Sequence, residues 1–183
     1  MAFTVRHMYL TLVAAGLALC SVLNAAHAAD VFGIEDENLQ PVPPAVAAAL
    51  RAHVRKTEYR ECAQGDFVGS AVDLQGQGRN QDWIAKTADG CAWGAATAKI
   101  WILKHDMPRY RVVLDTGGHG VDLLKSTSHG LRNLSVSSGT AGHYSDALLK
   151  FNGRRYKVFK SCFVDPGNPE EASKHPDGQC HIN

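Results

Sequence analysis

Thr97-Ala98-Lys99-Ile100-Trp101-Ile102-Leu103-Lys104-His105 is the stretch that decides the fold. Four large apolar residues, Ile100 to Leu103, stand in an unbroken row. A strand with one wet face alternates apolar with polar residues, whereas one covered on both sides does not. The row therefore predicts a strand buried on both faces.

Reading outward, short runs of the same kind lie on either side, separated by glycine and proline. Phe67–Leu74 and Asp82–Thr87 precede it. Met107-Pro108-Arg109 reads as a turn, and Tyr110 to Leu114 as an alternating strand. Gly117-Gly118-His119-Gly120 then breaks the chain before Val121–Lys125. Leu134 and Val136 alternate with Asn133, Ser135 and Ser137, the signature of a half-buried strand. Asn152-Gly153, between Ala147–Phe151 and Arg154–Phe159, is the preferred two-residue hairpin loop because both residues tolerate positive φ. One helix stands apart. Pro43-Pro44 opens it where a missing N–H costs nothing, and Val46, Leu50 and Val54 recur every four residues. Arg51, Arg55 and Lys56 mark its far end. The expected fold class is α+β: mainly an antiparallel β meander with one N-terminal amphipathic helix packed on it.

The ends of the chain read differently. Arg6 gives a positive n-region, Met8 to Leu23 is free of charge, and Ala26-His27-Ala28 is the small-x-small pattern of a signal-peptidase site. Residues 1–28 are thus expected to be a signal peptide, making the mature protein periplasmic or secreted. Two alternatives stand beside this, a membrane anchor and lipid attachment at Cys20. The apolar run is shorter than a spanning helix needs, and Leu19 sits where a lipoprotein site wants a small residue. Residues 29–43 read as an extended leader, 44–165 as a single α+β domain, and 166–183 as a tail in which Pro166, Pro169 and Pro176 argue for loop.

Removing 28 of the 183 residues leaves 155, the size of one ordinary domain. The formal charge of +1 falls to zero on losing Arg6, so no overall field draws the mature chain to nucleic acid or an anionic membrane. Locally, Lys150, Arg154, Arg155, Lys157 and Lys160 form a run without acids, and Glu35, Asp36 and Glu37 cluster near the mature N-terminus; both read as solvated surface. Cys62, Cys91, Cys162 and Cys180 survive cleavage with no Cys-x-x-Cys among them, which counts against a zinc knuckle or a redox site. Of the three pairings, Cys62–Cys91 and Cys162–Cys180 are favoured because each closes a short local loop. The second would tether the tail.

Val72-Asp73-Leu74-Gln75-Gly76-Gln77-Gly78-Arg79-Asn80-Gln81-Asp82-Trp83-Ile84 resembles the D-x-[DN]-x-D-G-x-x-D loop of FG-GAP/VCBS-like repeats, whose oxygens surround calcium. The resemblance makes Asp73, Gln75 and Asp82 the candidate ligands. Gln77 and Gln81 replace expected acids, and Asp82 comes one residue late. Calcium affinity follows carboxylate number, so the expected state is a hairpin without metal and a protein without cofactor. Phe151-Asn-Gly-Arg-Arg-Tyr156 looks like the closing strand pair of similar exported proteins.

His119, His129 and His143 fall in Gly/Ser-rich turns, and His175 and His181 in the tail, with no helical pair to make a zinc or copper site. Ser126, Ser128, Ser137 and Ser138 lie near them in sequence, as do Asp115 and Asp122, yet no Gly-x-Ser-x-Gly elbow, phosphate loop or dinucleotide fingerprint appears. No residue is singled out as catalytic. Leu134-Ser-Val-Ser-Ser-Gly-Thr-Ala-Gly-His-Tyr144 is similar to the Ser-Gly-x-x-Tyr segment of periplasmic lysozyme inhibitors, with a longer spacing. That similarity implies a polar loop offered to a carbohydrate-binding cleft, with Ser137, Ser138 and Tyr144 as partner-binding residues. The expected function is an exported, non-enzymatic binding module with a protein partner in the cell envelope, lysozyme-inhibitor-like or toxin-neutralising. It would bind no nucleic acid and keep no membrane span after cleavage. An envelope hydrolase or metal-dependent enzyme built on loop histidines and serines, and a small calcium- or ligand-binding module, are the alternatives.

Overall fold

The computed structural model describes residues 30–94, 96–140, 143–164 and 179–183. Residues 1–29, which include the expected signal peptide, and tail residues 165–178, with His175, lie outside them. Ile100 to Leu103 are each at most 1 % exposed. Alternation along the strand sends Ile100 and Ile102 into one apolar cluster and Trp101 and Leu103 into another on the opposite face.

In chain order the elements are β1 (Val31–Gly33), β2 (Gln40–Pro41), α1 (Pro44–Val54), a 3-10 turn (Arg60–Gln64), β3 (Phe67–Val72), β4 (Asp82–Thr87), β5 (Ala98–Asp106) and β6 (Arg109–Gly118). There follow β7 (Gly120–Ser128), β8 (Leu131–Thr140), β9 (His143–Phe151), β10 (Tyr156–Val164) and β11 (Gln179–Ile182). All pairings between these strands are antiparallel. The protein is mostly antiparallel β with one helix, and the strands form two sheets rather than one meander, ordered β2-β3-β4-β5-β6 and β1-β7-β8-β9-β10-β11.

Three layers result. Val46, Leu50 and Val54 of α1 pack on Phe67, Ala85, Trp101 and Leu103 of the five-stranded sheet. The other face of that sheet, Val72, Ile84, Ile100, Ile102 and Leu114, packs on Val121, Leu134, Val136, Leu149 and Phe151 of the six-stranded one. A bulge between Ile102 and Leu103 in the β5–β6 register lets Val113 and Leu114, neighbours in sequence, both enter this inter-sheet core. The chain passes between sheets at Gly117–Gly120. A Cβ on Gly118 would stand 2.6 Å from the Ser137 carbonyl oxygen, so only glycine lets the crossing lie this close to β8.

Three expectations are corrected. The leader is not merely extended: it supplies β1 and β2, and Phe32 and Ile34 are buried in the inter-sheet core. The tail is not all loop, since Gln179–Ile182 pairs with β10 as β11, with Cys162 and Cys180 directly opposite and bonded. The second disulfide joins Cys62 to Cys91. The β9–β10 connection spans four residues, with Phe151 opposite Tyr156. Asn152 N–H donates to the Arg155 carbonyl at 3.1 Å while its Oδ1 accepts the amides of Arg154 and Arg155, so the two-residue turn falls at Gly153-Arg154, one residue later than expected. Among the described residues no helix is long and apolar enough to cross a membrane.

Candidate binding site

Ser137 and Ser138 lie in β8 and Tyr144 in β9, where Tyr144 stands opposite Gly139, Ser137 opposite Asp146 and Ser138 opposite Ser145. Side chains alternate across a strand, so Ser137, Gly139 and Tyr144 share the outer face of the six-stranded sheet while Ser138 belongs to the other. The turn between, Ala141-Gly142, lies outside the described residues. Tyr144 is 56 % exposed.

Beside it opens a cavity of about 540 Å³. Gly139, Thr140 and Tyr144 form one wall, Gly33, Ile34, Glu35 and Asp36 another, and His119 and Ala96 complete the lining. Asp36 turns the chain back after β1 by accepting the Gly33 amide at 2.7 Å. Two carboxylates and no lysine or arginine line the wall, so the cavity is negative in character. The sequence marks Glu35 and Asp36 only as part of an acidic cluster; their meeting with Tyr144 depends on the pairing of β1 with β7 and β7 with β8.

The histidines are dispersed. His119 faces the cavity, His129 sits in the β7–β8 turn with φ of 49° and its Nδ1 is 2.8 Å from the Phe151 carbonyl oxygen, and His143 stacks on Phe163. His181 lies in β11. Ser126 accepts a hydrogen bond from Asn133. Among the described residues no side-chain hydrogen bond joins His119 or His129 to a serine or aspartate.

The Asp/Gly loop connects β3 to β4. Asp73 Oδ2 accepts the Gly78 amide at 2.5 Å, while Asp73 Oδ1 and Gln75 Oε1 are buried with no hydrogen-bond partner. Two such oxygens could serve a cation. Asp82 does not join them as a free ligand: its carboxylate accepts the amides of Leu74 at 3.2 Å and His105 at 2.8 Å. No group of three His, Cys, Asp or Glu side chains with metal-site geometry forms among the described residues.

A cluster the sequence reading does not join is His53–Asp115–Lys99. His53 Nε2 lies 2.8 Å from Asp115 Oδ2, and Lys99 Nζ donates to Oδ1 at 3.1 Å. Burial pushes the Asp115 carboxyl up, but the hydrogen bonds from His53 and Lys99 and the lysine charge outweigh it, leaving the group below its ordinary value. A depressed native pKa means stability that is present above about pH 4 and lost as pH falls through the lower native value. Asp115→Asn is therefore expected to cost about 1–2 kcal/mol at neutral pH. The cost should shrink below pH 4 in urea titrations; a constant difference across that range would contradict the assignment.

No family model, no curated protein and no solved structure matches this chain.

Proposed function

We propose that the mature chain is an exported, non-enzymatic binding module, periplasmic or secreted, that docks a protein partner of the cell envelope at the Tyr144 end of the six-stranded sheet. The observation that carries this reading is an exposed tyrosine beside a ready-made cavity on a rigid antiparallel sheet. Tyrosine brings a large, stiff contact surface and a polar tip, which is why it recurs at binding hot spots. The β8–β9 pairing holds its main chain from Thr140 opposite His143 to Leu134 opposite Leu149, so little ordering remains to oppose binding. The likeness of Leu134–Tyr144 to lysozyme inhibitors suggests the first partner to try. A hydrolase built on His119 with Glu35 or Asp36 is the second reading, since all three line the same cavity.

Residues 29–183, folded under oxidising conditions, should inhibit one class among c-, g- and i-type lysozymes at near-stoichiometric ratio and co-elute with it. Tyr144→Ala should weaken that complex by about tenfold or more, and Ser137→Ala by less. Absence of any complex would sink the lysozyme version. Loss of activity against peptidoglycan or ester substrates on His119→Ala would move the reading to an enzyme.

A further inference from the structure

The β9–β10 turn carries the densest part of the basic run, and its charges are unspent. Arg154, Arg155 and Lys157 are exposed, and none forms an ion pair with a described residue. Lys157 stands directly opposite Lys150 across β9 and β10, an arrangement in which like charges repel. Lys150 is drawn over the Phe159 ring; Lys157 has no such partner among the described residues. The turn itself is held in place. Asn152 closes it from within, and Arg111 of β6 donates to the Arg154 carbonyl from outside.

Beside the turn lies a cleft of about 280 Å³. β6 gives it a closed floor, since Val113 and Leu114 turn into the inter-sheet core. Arg155 and Lys157 line one side, and His53, at the end of α1, lines another. One carboxylate, Asp115, belongs to the same lining. Its oxygens are taken by Lys99 at 3.1 Å and His53 at 2.8 Å, and the Lys99 charge balances its own. Arg155 and Lys157 therefore leave two uncompensated positive charges at the cleft, and their side-chain N–H groups have no acceptor among the described residues. Cavities for drug-sized ligands start at about 300 Å³, so this one suits a compact group. An arginine fork matches two oxygens of a tetrahedral anion, and a lysine adds a point charge beside it. A dianion answers both free charges, whereas a monoanion answers one.

We infer that the cleft between the β9–β10 turn and the end of α1 binds a dianionic phosphate group, free or carried as a monoester, through Arg155 and Lys157. The group needs no main-chain atom of β6. The site is independent of the cavity at Tyr144, because Tyr144 and the β9–β10 turn stand at opposite ends of β9.

The test follows backbone amide NMR shifts of the full mature chain as inorganic phosphate is titrated in, against sodium chloride of equal ionic strength. Phosphate and phenyl phosphate should each shift amides of residues 152–158 and the end of α1 saturably, and acetate should not. Arg155→Gln/Lys157→Gln, both at exposed positions, should keep the native Tm and weaken phosphate binding by about tenfold or more. Arg154→Gln removes the same charge one residue away, outside the cleft lining, and should leave binding unchanged. Phosphatidylcholine vesicles carrying phosphatidic acid separate the two sources. Co-sedimentation that the double variant loses puts the group on a lipid, and binding of soluble phosphates alone puts it on a soluble molecule. No saturable shift with phosphate would overturn the proposal. So would an equal response to acetate or an equal loss in Arg154→Gln, either of which would reveal a diffuse basic surface instead of a site.

Discussion

Asp82→Ala is expected to cost about 3–4 kcal/mol of unfolding free energy, read as a lower urea midpoint at pH 7. Asp82 is fully buried, and its two oxygens accept the amides of Leu74 and His105. One carboxylate thus ties the loop after β3 to β4 and to the end of β5. Alanine leaves two amides without a partner inside the protein, each worth about 1–3 kcal/mol, against which the relief of a buried charge is a partial offset. Against a total stability of about 5–15 kcal/mol, this change alone brings a small domain close to unfolding. Asp82→Asn should fall between, since its amide can serve one N–H and opposes the other.

The pH dependence separates this carboxyl from Asp115. Burial raises the Asp82 pKa above its ordinary value; the His105 and Leu74 amides and the Lys104 charge only partly offset it, and the Asp73 charge adds to it. With the native value raised, folding takes up a proton between the ordinary pKa and the native one. The advantage of the wild type over Asp82→Ala should therefore grow as pH falls through the raised native value toward about 4, where Asp115 behaves in the opposite sense. A loss under about 1 kcal/mol would show that water replaces the carboxylate, and one that shrinks on acidification would show that the native pKa is lowered instead of raised.

This residue also shows where a sequence is readable and where it is not. Asp82 reads as a displaced calcium ligand because its neighbours match a loop pattern; its partners come together only through strand pairing, Leu74 by β3–β4 and His105 by β4–β5. The helix is legible from Val46, Leu50 and Val54, since burial of one face imposes a local period. β1 and β11 impose none. Phe32 enters the core from a three-residue strand, too short to show alternation, and β11 stands where Cys162–Cys180 joins it to β10. The division into two sheets turns on Gly118, whose bare Cα admits the Ser137 carbonyl; a glycine cluster announces a break in the chain but not its direction. For the same reason Ser137 and Tyr144 could be named only through the resemblance of their segment, whereas their common face and the carboxylates beside them follow from register.

Trp101→Ala is expected to cost about 3–5 kcal/mol, comparable with Asp82→Ala but different in where the damage falls. Trp101 is 1 % exposed and meets Phe67 edge to face, with ring centroids 5.8 Å apart at 81°. Its cluster is the one between α1 and the five-stranded sheet, closed at the side by buried Cys62 with its bond to Cys91. Ile102, one residue on, belongs to the inter-sheet cluster instead. Removing the indole empties the helix layer and leaves the contacts between the sheets in place. Amide exchange in Pro44–Val54 should then accelerate through local opening, while β7, β8 and β9 keep most of their protection under native conditions. Ile102→Ala, at about 2–5 kcal/mol, should instead raise exchange in both sheets. If Trp101→Ala loosened β8 and β9 as much as α1, the two clusters would be one cooperative core, and the row Ile100 to Leu103 would join the layers rather than divide them.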